Sequence, residues 1–201
     1  MRHFHYFLIL GILLMTSCQP DPVTPNNQGG TVQSPTGEMF TYFTEDWDSW
    51  NFILGDSNST NVNVYTYFTE DWDSWVFTAD TTSGQIYTYF SNDWDDWTLT
   101  SNNYVISIET SFSNDFDDWN IDDVAHNWHC DVRTAFSNDF DNWDADDFNN
   151  NAHLDLRTSF SEDWDNWDVY GEWDQNYPIE YKIAIMFVPT IVAVLQQNGI
   201  I

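Results

Sequence analysis

Six copies of the pattern T-x-F-[ST]-x-D-[WF]-D-x-W limit what this chain can fold into. They begin at Thr41, Thr66, Thr88, Thr110, Thr134 and Thr158, with spacings of 25, 22, 22, 24 and 24 residues. Periods of this length belong to solenoid coils and repeated hairpins. Upstream of the threonines the apolar residues alternate, as in Val62 and Val64, Ile106 and Ile108, Cys130 and Val132, and Leu154 and Leu156. Period two means a strand with one buried face.

The same parity runs on through Phe43, Phe68, Phe90, Phe112, Phe136 and Phe160 to the first motif aromatic: Trp47, Trp72, Trp94, Phe116, Phe140 and Trp164. It therefore predicts that these side chains are buried. The second aromatic, at Trp50, Trp75, Trp97, Trp119, Trp143 and Trp167, breaks the phase. A corner or bulge is required between the two. Each repeat thus reads as strand, Asp-rich corner, strand and variable turn, with GDSNST, DTTSG, SNN and NNN supplying the turns.

The expected fold class is all-β: a repeat β-solenoid of about six coils of 22–25 residues, burying its aromatic ladders between two sheets. The alternative is a long antiparallel meander of hairpin repeats. It uses the same strands but leaves an apolar face uncovered unless it closes into a barrel. The division that follows is 1–17 signal peptide, 18–37 flexible tether, 38–176 six-repeat domain and 177–201 C-terminal cap. In the cap Ile179, Tyr181, Ile183, Ile185 and Phe187 alternate as another strand would, and Pro189 interrupts the apolar run.

The opening residues carry their own signal. Phe4 to Met15 is an apolar run too short to span a bilayer comfortably, and Met15-Thr16-Ser17-Cys18 follows. This resembles the lipobox of bacterial lipoproteins. The resemblance implies cleavage before Cys18, lipidation of that cysteine and a lipid-anchored chain at the outer membrane or cell surface. Gln19 to Gly37, rich in Pro, Gly, Asn and Gln, suits a tether. With Cys18 lipidated, Cys130 has no partner in the chain, so no disulfide framework is expected.

A formal net charge of −29 repels nucleic acid and anionic headgroups and attracts cations. Twelve Trp, 10 Tyr and 15 Phe argue against the disorder that such acidity usually brings.

Two registers of aspartate run through the motif: Asp46, Asp71, Asp93, Asp115, Asp139 and Asp163, and then Asp48, Asp73, Asp95, Asp117, Asp141 and Asp165. Stacked about 4.8 Å apart in a solenoid, neighbouring carboxylates would repel by about 1 kcal/mol in high-dielectric surroundings. Either backbone N–H groups at the corners satisfy them, as in Asx-turns, or Ca²⁺ sits between coils. The second idea is similar in logic to the calcium-binding β-roll, whose glycines are absent here. Tyr42, Tyr65, Tyr67, Tyr87 and Tyr89 form an outward strip suited to sugar rings or to a cross-strand ladder. His126, His129 and His153 are candidates for a transition metal, yet no further residue completes a tetrahedral set and Cys130 points inward by parity.

Catalysis needs one asymmetric constellation, and six near-equivalent corners do not supply it, so no enzyme is expected. The expected role is structural or adhesive, with Ca²⁺ as a stabilising cofactor and a surface protein or polysaccharide as partner. The alternative is a carbohydrate-binding surface lipoprotein. Replacing Cys18 by Ser should abolish palmitate labelling and release the chain from the membrane fraction. Unchanged labelling and partitioning in the variant would contradict the lipoprotein expectation.

Overall fold

The computed structural model describes residues 34–201, apart from 45, 56–59, 151, 162 and 175. The signal peptide, Cys18 and the tether up to residue 33 lie outside the described residues. What is described forms twelve strands and one helix. The strands are β1 (Gly37–Thr41), β2 (Ser49–Leu54), β3 (Thr60–Thr66), β4 (Ser74–Thr78), β5 (Ser83–Tyr87) and β6 (Asp96–Ser101), then β7 (Val105–Thr110), β8 (Asp118–Asp123), β9 (Trp128–Thr134), β10 (Asn142–Asp147), β11 (Ala152–Thr158) and β12 (Asn166–Gly171). The helix is α1 (Ile179–Gln197).

Each strand pairs antiparallel with its sequence neighbours, and β1 pairs with β12, so the sheet closes into a twelve-stranded barrel. This overturns the solenoid: the meander is the arrangement formed, and closure leaves no edge strand to protect. The six Asp-rich corners lie at one rim and the variable turns at the other.

The alternation within strands holds. Trp50, Phe52 and Leu54 of β2, Trp97 and Leu99 of β6, and Ile106 and Ile108 of β7 all point into the barrel and are buried. All six second-position tryptophans are fully buried. Cys130, also inward, is 1 % exposed and burial pushes its thiol pKa well up. Gly84 faces Phe77 across β4 and β5. A Cβ on Gly84 would lie 2.4 Å from the Phe77 ring and 2.1 Å from the Thr100 carbonyl oxygen, so the large ring takes the space of two side chains.

An eight-stranded barrel can be filled by its own side chains, and twelve strands enclose more than that. Helix α1 occupies the difference. From Ile183 to Leu195 every residue is buried, on all sides of the helix, as an apolar helix at the centre of a core must be. Phe187 packs edge-on against Trp75 and Trp97, with centroids 5.8 and 5.2 Å apart. The Thr190 hydroxyl donates to the Met186 carbonyl, so this buried polar group is satisfied within the helix.

The expected C-terminal strand and cap are therefore corrected. The period-two run from Ile179 to Phe187 is coincidental, and the segment fills the barrel rather than covering its end. Pro189 is accommodated inside the helix. The helix is long and apolar enough to cross a membrane by length and composition, but 83 % of its apolar window is buried inside the barrel.

The outer wall is polar. Ser49 and Asn51 on β2, Thr98 and Thr100 on β6, Asp118, Asn120 and Asp122 on β8, and Asn142, Asp144 and Asp146 on β10 all face outward. A bilayer-spanning barrel carries an outward apolar band, and this wall carries the reverse pattern.

One further expectation fails. The Phe two residues after each threonine are not core residues: Phe43, Phe68, Phe90, Phe112, Phe136 and Phe160 are 66–75 % exposed. The strand ends at or just before the threonine, earlier than parity suggested, and the first-position aromatics are only partly buried. Truncating Trp97 to Ala should then cost about 3–5 kcal/mol of unfolding free energy. Phe90→Ser should stay within about 0.5 kcal/mol of wild type, as surface changes do. Comparable losses in chemical denaturation would contradict this inside–outside assignment.

Candidate functional site

The corner rim is where the repeated residues converge, and its geometry follows from the motif. In each corner the N–H of the first-register Asp donates to the carbonyl of the exposed Phe three residues earlier, as from Asp93 to Phe90 (3.1 Å) and from Asp115 to Phe112 (2.9 Å). In the four corners where the residue before that Asp is described, it lies in the left-handed region, with φ of 60° at Glu70, 63° at Asn92, 61° at Asn114 and 58° at Asn138. Asn tolerates this conformation better than most residues. The buried tryptophan then donates its indole N–H to the first aromatic's carbonyl, at 2.8–3.2 Å in all six copies.

The second aspartate register links each corner to the next. Asp73 accepts from the Asn92 N–H and the Ser91 hydroxyl, at 3.1 and 2.8 Å. Asp95 does the same for Asn114 and Ser113, and Asp117 for Asn138 and Ser137. Asp48 takes the Glu70 N–H and the Thr66 hydroxyl. The backbone repeats the link: Thr66, Thr88, Thr110, Thr134 and Thr158 donate to the second-register Asp carbonyl of the preceding corner, and Thr41 donates to Asp165 at 3.0 Å, closing the circle. The carboxylates of Asp48, Asp73, Asp95 and Asp117 thus hold the left-handed residue of the next corner.

The first register differs. Asp46, Asp71, Asp93, Asp115 and Asp139 are half-exposed at the mouth, and Asp163 pairs with Asn166. Among the described residues, no three corner carboxylates bring ligand atoms within 4.8 Å of one another. A cavity of about 750 Å³ opens between the fourth, fifth and sixth corners. Asp115, Asp117, Asp139 and Asp141 line it, with Phe116, Phe140 and Trp164, and Ile200 and Ile201 from the chain end.

Around the mouth stand the six exposed phenylalanines. Three corners add a tyrosine beside them: Tyr42, Tyr67 and Tyr89 are 57, 57 and 68 % exposed. Tyr65 is exposed on β3 and Tyr87 half-buried at the end of β5. The expected tyrosine strip is thus accessible. It is not one flat platform, because neighbouring rings meet edge-on: Tyr67 with Phe68 at 80° and Tyr87 with Tyr89 at 76°.

The opposite rim fastens the helix. Asp123 and Asp147, buried at 0 and 2 % exposure, end β8 and β10. The Tyr181 hydroxyl donates to Asp123 at 3.1 Å, while the Tyr177 hydroxyl and the Trp128 indole donate to Asp147. Trp128 stacks on Tyr181 with centroids 3.8 Å apart. Burial opposes the Asp147 charge, but donors from Tyr177, Asn150 and Trp128 outweigh it and hold its carboxyl below the ordinary range. Burial, then the aspartate partners, push both tyrosine pKa values up. Neither aspartate was singled out from the sequence, although each shares the inward parity of its strand's tryptophan, and the helix that supplies their partners was not foreseen. His126 belongs here, bound to Asp123 at 2.7 Å and remote in role from His129 and His153 on the outer wall.

Comparison with known protein families, curated proteins and solved structures finds no match for this chain. The site has to be judged from its own chemistry.

The two aspartate registers should separate in stability measurements. In calcium-free buffer Asp95→Ala should destabilise by about 1–3 kcal/mol, since it strips acceptors from Asn114 and Ser113. Asp93→Ala should change stability by about 0.5 kcal/mol or less. Equal effects in urea titrations would refute the division.

Proposed function

We propose that this protein is a lipid-anchored cell-surface protein with a structural or adhesive role, and that its corner rim is the contact face. The observation that carries the reading is the crown of six phenylalanines, each 66–75 % exposed, on one end of the barrel. Scattered exposed apolar residues are ordinary, but the same large apolar side chain exposed at all six corners of one rim is a repeated feature suited to contact. These rings contribute little to the core, and the corner geometry needs only their backbone carbonyls.

Six equivalent positions suit multivalent attachment, in which weak single contacts combine through effective concentration. The aspartates between the rings select the partner by charge. Nucleic acid and anionic lipid headgroups are repelled, and neutral or cationic surface components are admitted. Ca²⁺ enters this proposal through the half-exposed first register, where a bound ion would offset the repulsion among the carboxylates. β1 begins at the turn rim, opposite the corner rim. No catalytic role is proposed, because the six corners repeat one chemistry.

A second reading, carbohydrate binding, is favoured by the exposure of Tyr42, Tyr67 and Tyr89. Single rings at separate corners would each stack on one sugar. Both readings can be tested with beads coated with the protein. The beads should adhere to outer-membrane vesicles, and a Phe68→Ser, Phe90→Ser, Phe112→Ser variant should lose adhesion by about tenfold or more, with its melting temperature unchanged. A Tyr67→Ser, Tyr89→Ser variant should retain it. Full adhesion by the phenylalanine variant refutes the proposal. Loss in the tyrosine variant alone, with matching loss on a glycan array, establishes the second reading instead.

A further inference from the structure

Two neighbouring hairpins on the outer wall carry nearly the same residues, and the difference between them is informative. Hairpin β8–β9 sets Asn120 opposite Asp131 and Asp122 opposite His129. Hairpin β10–β11 sets Asp144 opposite Asp155 and Asp146 opposite His153, in the same register. Two outward partners change: Asn120 is replaced by Asp144, and Asp118, opposite Arg133, by Asn142, opposite Arg157.

The consequence is visible at the histidines. His129 is closed on both sides, with Nδ1 2.9 Å from Asp122 and Nε2 2.8 Å from Asp131. His153 keeps the first contact, with Nδ1 2.7 Å from Asp146, but its Nε2 stands 3.8 Å from Asp155, beyond hydrogen-bond distance. Into that opening the extra carboxylate of Asp144 is added. One ligand atom from each of Asp144, His153 and Asp155 lies within 4.8 Å of the others, the one such group among the described residues.

We infer that Asp144, His153 and Asp155 form a binding site for one borderline divalent transition-metal ion of the Zn²⁺ class. Two observations support it beyond proximity. Asp144 and Asp155 are like charges directly opposite on adjacent strands, an arrangement that destabilises a sheet and that a bridging ion would relieve on both carboxylates, where the exposed Arg157 reaches only Asp155. His153 is oriented as metal-bound histidines are: its Nδ1 is held by the Asp146 carboxylate, itself fixed by Arg133 at 2.9 Å, and Nε2 is left for the ion. One nitrogen and two carboxylate oxygens suit Zn²⁺, Co²⁺ or Mn²⁺ better than Ca²⁺, which takes oxygen ligands only. Arg157 lies 3.0 Å from Asp155 Oδ1, the oxygen that also faces His153, and being half-exposed it can swing into solvent when an ion takes its place. With three protein ligands on an open wall, water completes the coordination.

The test uses the purified, chelator-stripped protein titrated with Co²⁺, followed by visible absorption and calorimetry and then displaced with Zn²⁺. One Co²⁺ per chain is expected, with a d–d spectrum that Zn²⁺ abolishes. Asp144→Asn puts the β8 residue type at this position and should weaken binding by about tenfold or more. Asn120→Asp should create the same site in the neighbouring hairpin and raise the stoichiometry to two. All of these side chains face outward, and circular dichroism checks that each variant is folded. An unchanged isotherm in Asp144→Asn overturns the inference. So does Co²⁺ uptake that disappears in 0.5 M NaCl, since that is screening of an acidic surface.

Discussion

A twelve-stranded barrel lined with apolar side chains cannot remain empty, and the rest of this structure depends on how that interior is filled. The lining is large, with six tryptophans, Phe52 and Phe77 all pointing inward, yet the ring of strands is too wide for these groups to meet across it. Helix α1 supplies the missing volume and is apolar on every side because the wall surrounds it. Phe187 reaches Trp75 and Trp97 on one side, and the far end is tied by the tyrosine–aspartate pairs at the turn rim. Burying a side chain of this size is worth about 1.5–3 kcal/mol, so fifteen buried helix residues make the helix part of the core rather than an accessory.

The filled interior frees the rims for other tasks, and the repeated motif divides its labour accordingly. Its tryptophan serves the core. Its second aspartate ties one corner to the next: the carboxylates of Asp48, Asp73, Asp95 and Asp117 hold the left-handed residue of the following corner, and the backbone bond from Thr41 to Asp165 closes the ring of strands. Its phenylalanine is left outside. A chain that repeats an exposed apolar residue six times in one place presents a surface, which is why the crown and not the barrel wall carries the functional proposal.

Much of this was legible in the residues. Alternation located the strands and the inward tryptophans, and the Asn- and Gly-containing segments marked the turns. The phenylalanines were misread because period two was extended past Thr41 and its equivalents. There the position of Phe is set by a local bond from its carbonyl to the Asp three residues on, which no apolar pattern records. The helix was misread because Ile179, Tyr181, Ile183, Ile185 and Phe187 satisfy both a strand face and an all-round apolar helix. The continuous apolar run through Leu195 was the better signal, with Pro189 discounted. The wall cluster needed the pairing of β10 with β11, since Asp144 is separated from His153 in sequence and meets it only across the hairpin.

The claim that the helix is the barrel's core can be measured directly by ending the chain at Asn176. The account predicts that the truncated protein loses its cooperative thermal transition, binds a hydrophobic dye and shows red-shifted tryptophan emission. A synthetic peptide spanning residues 177–201 should restore the transition when added back. A truncated chain that still melts cooperatively, with blue, quencher-protected tryptophan emission and no dye binding, would contradict it.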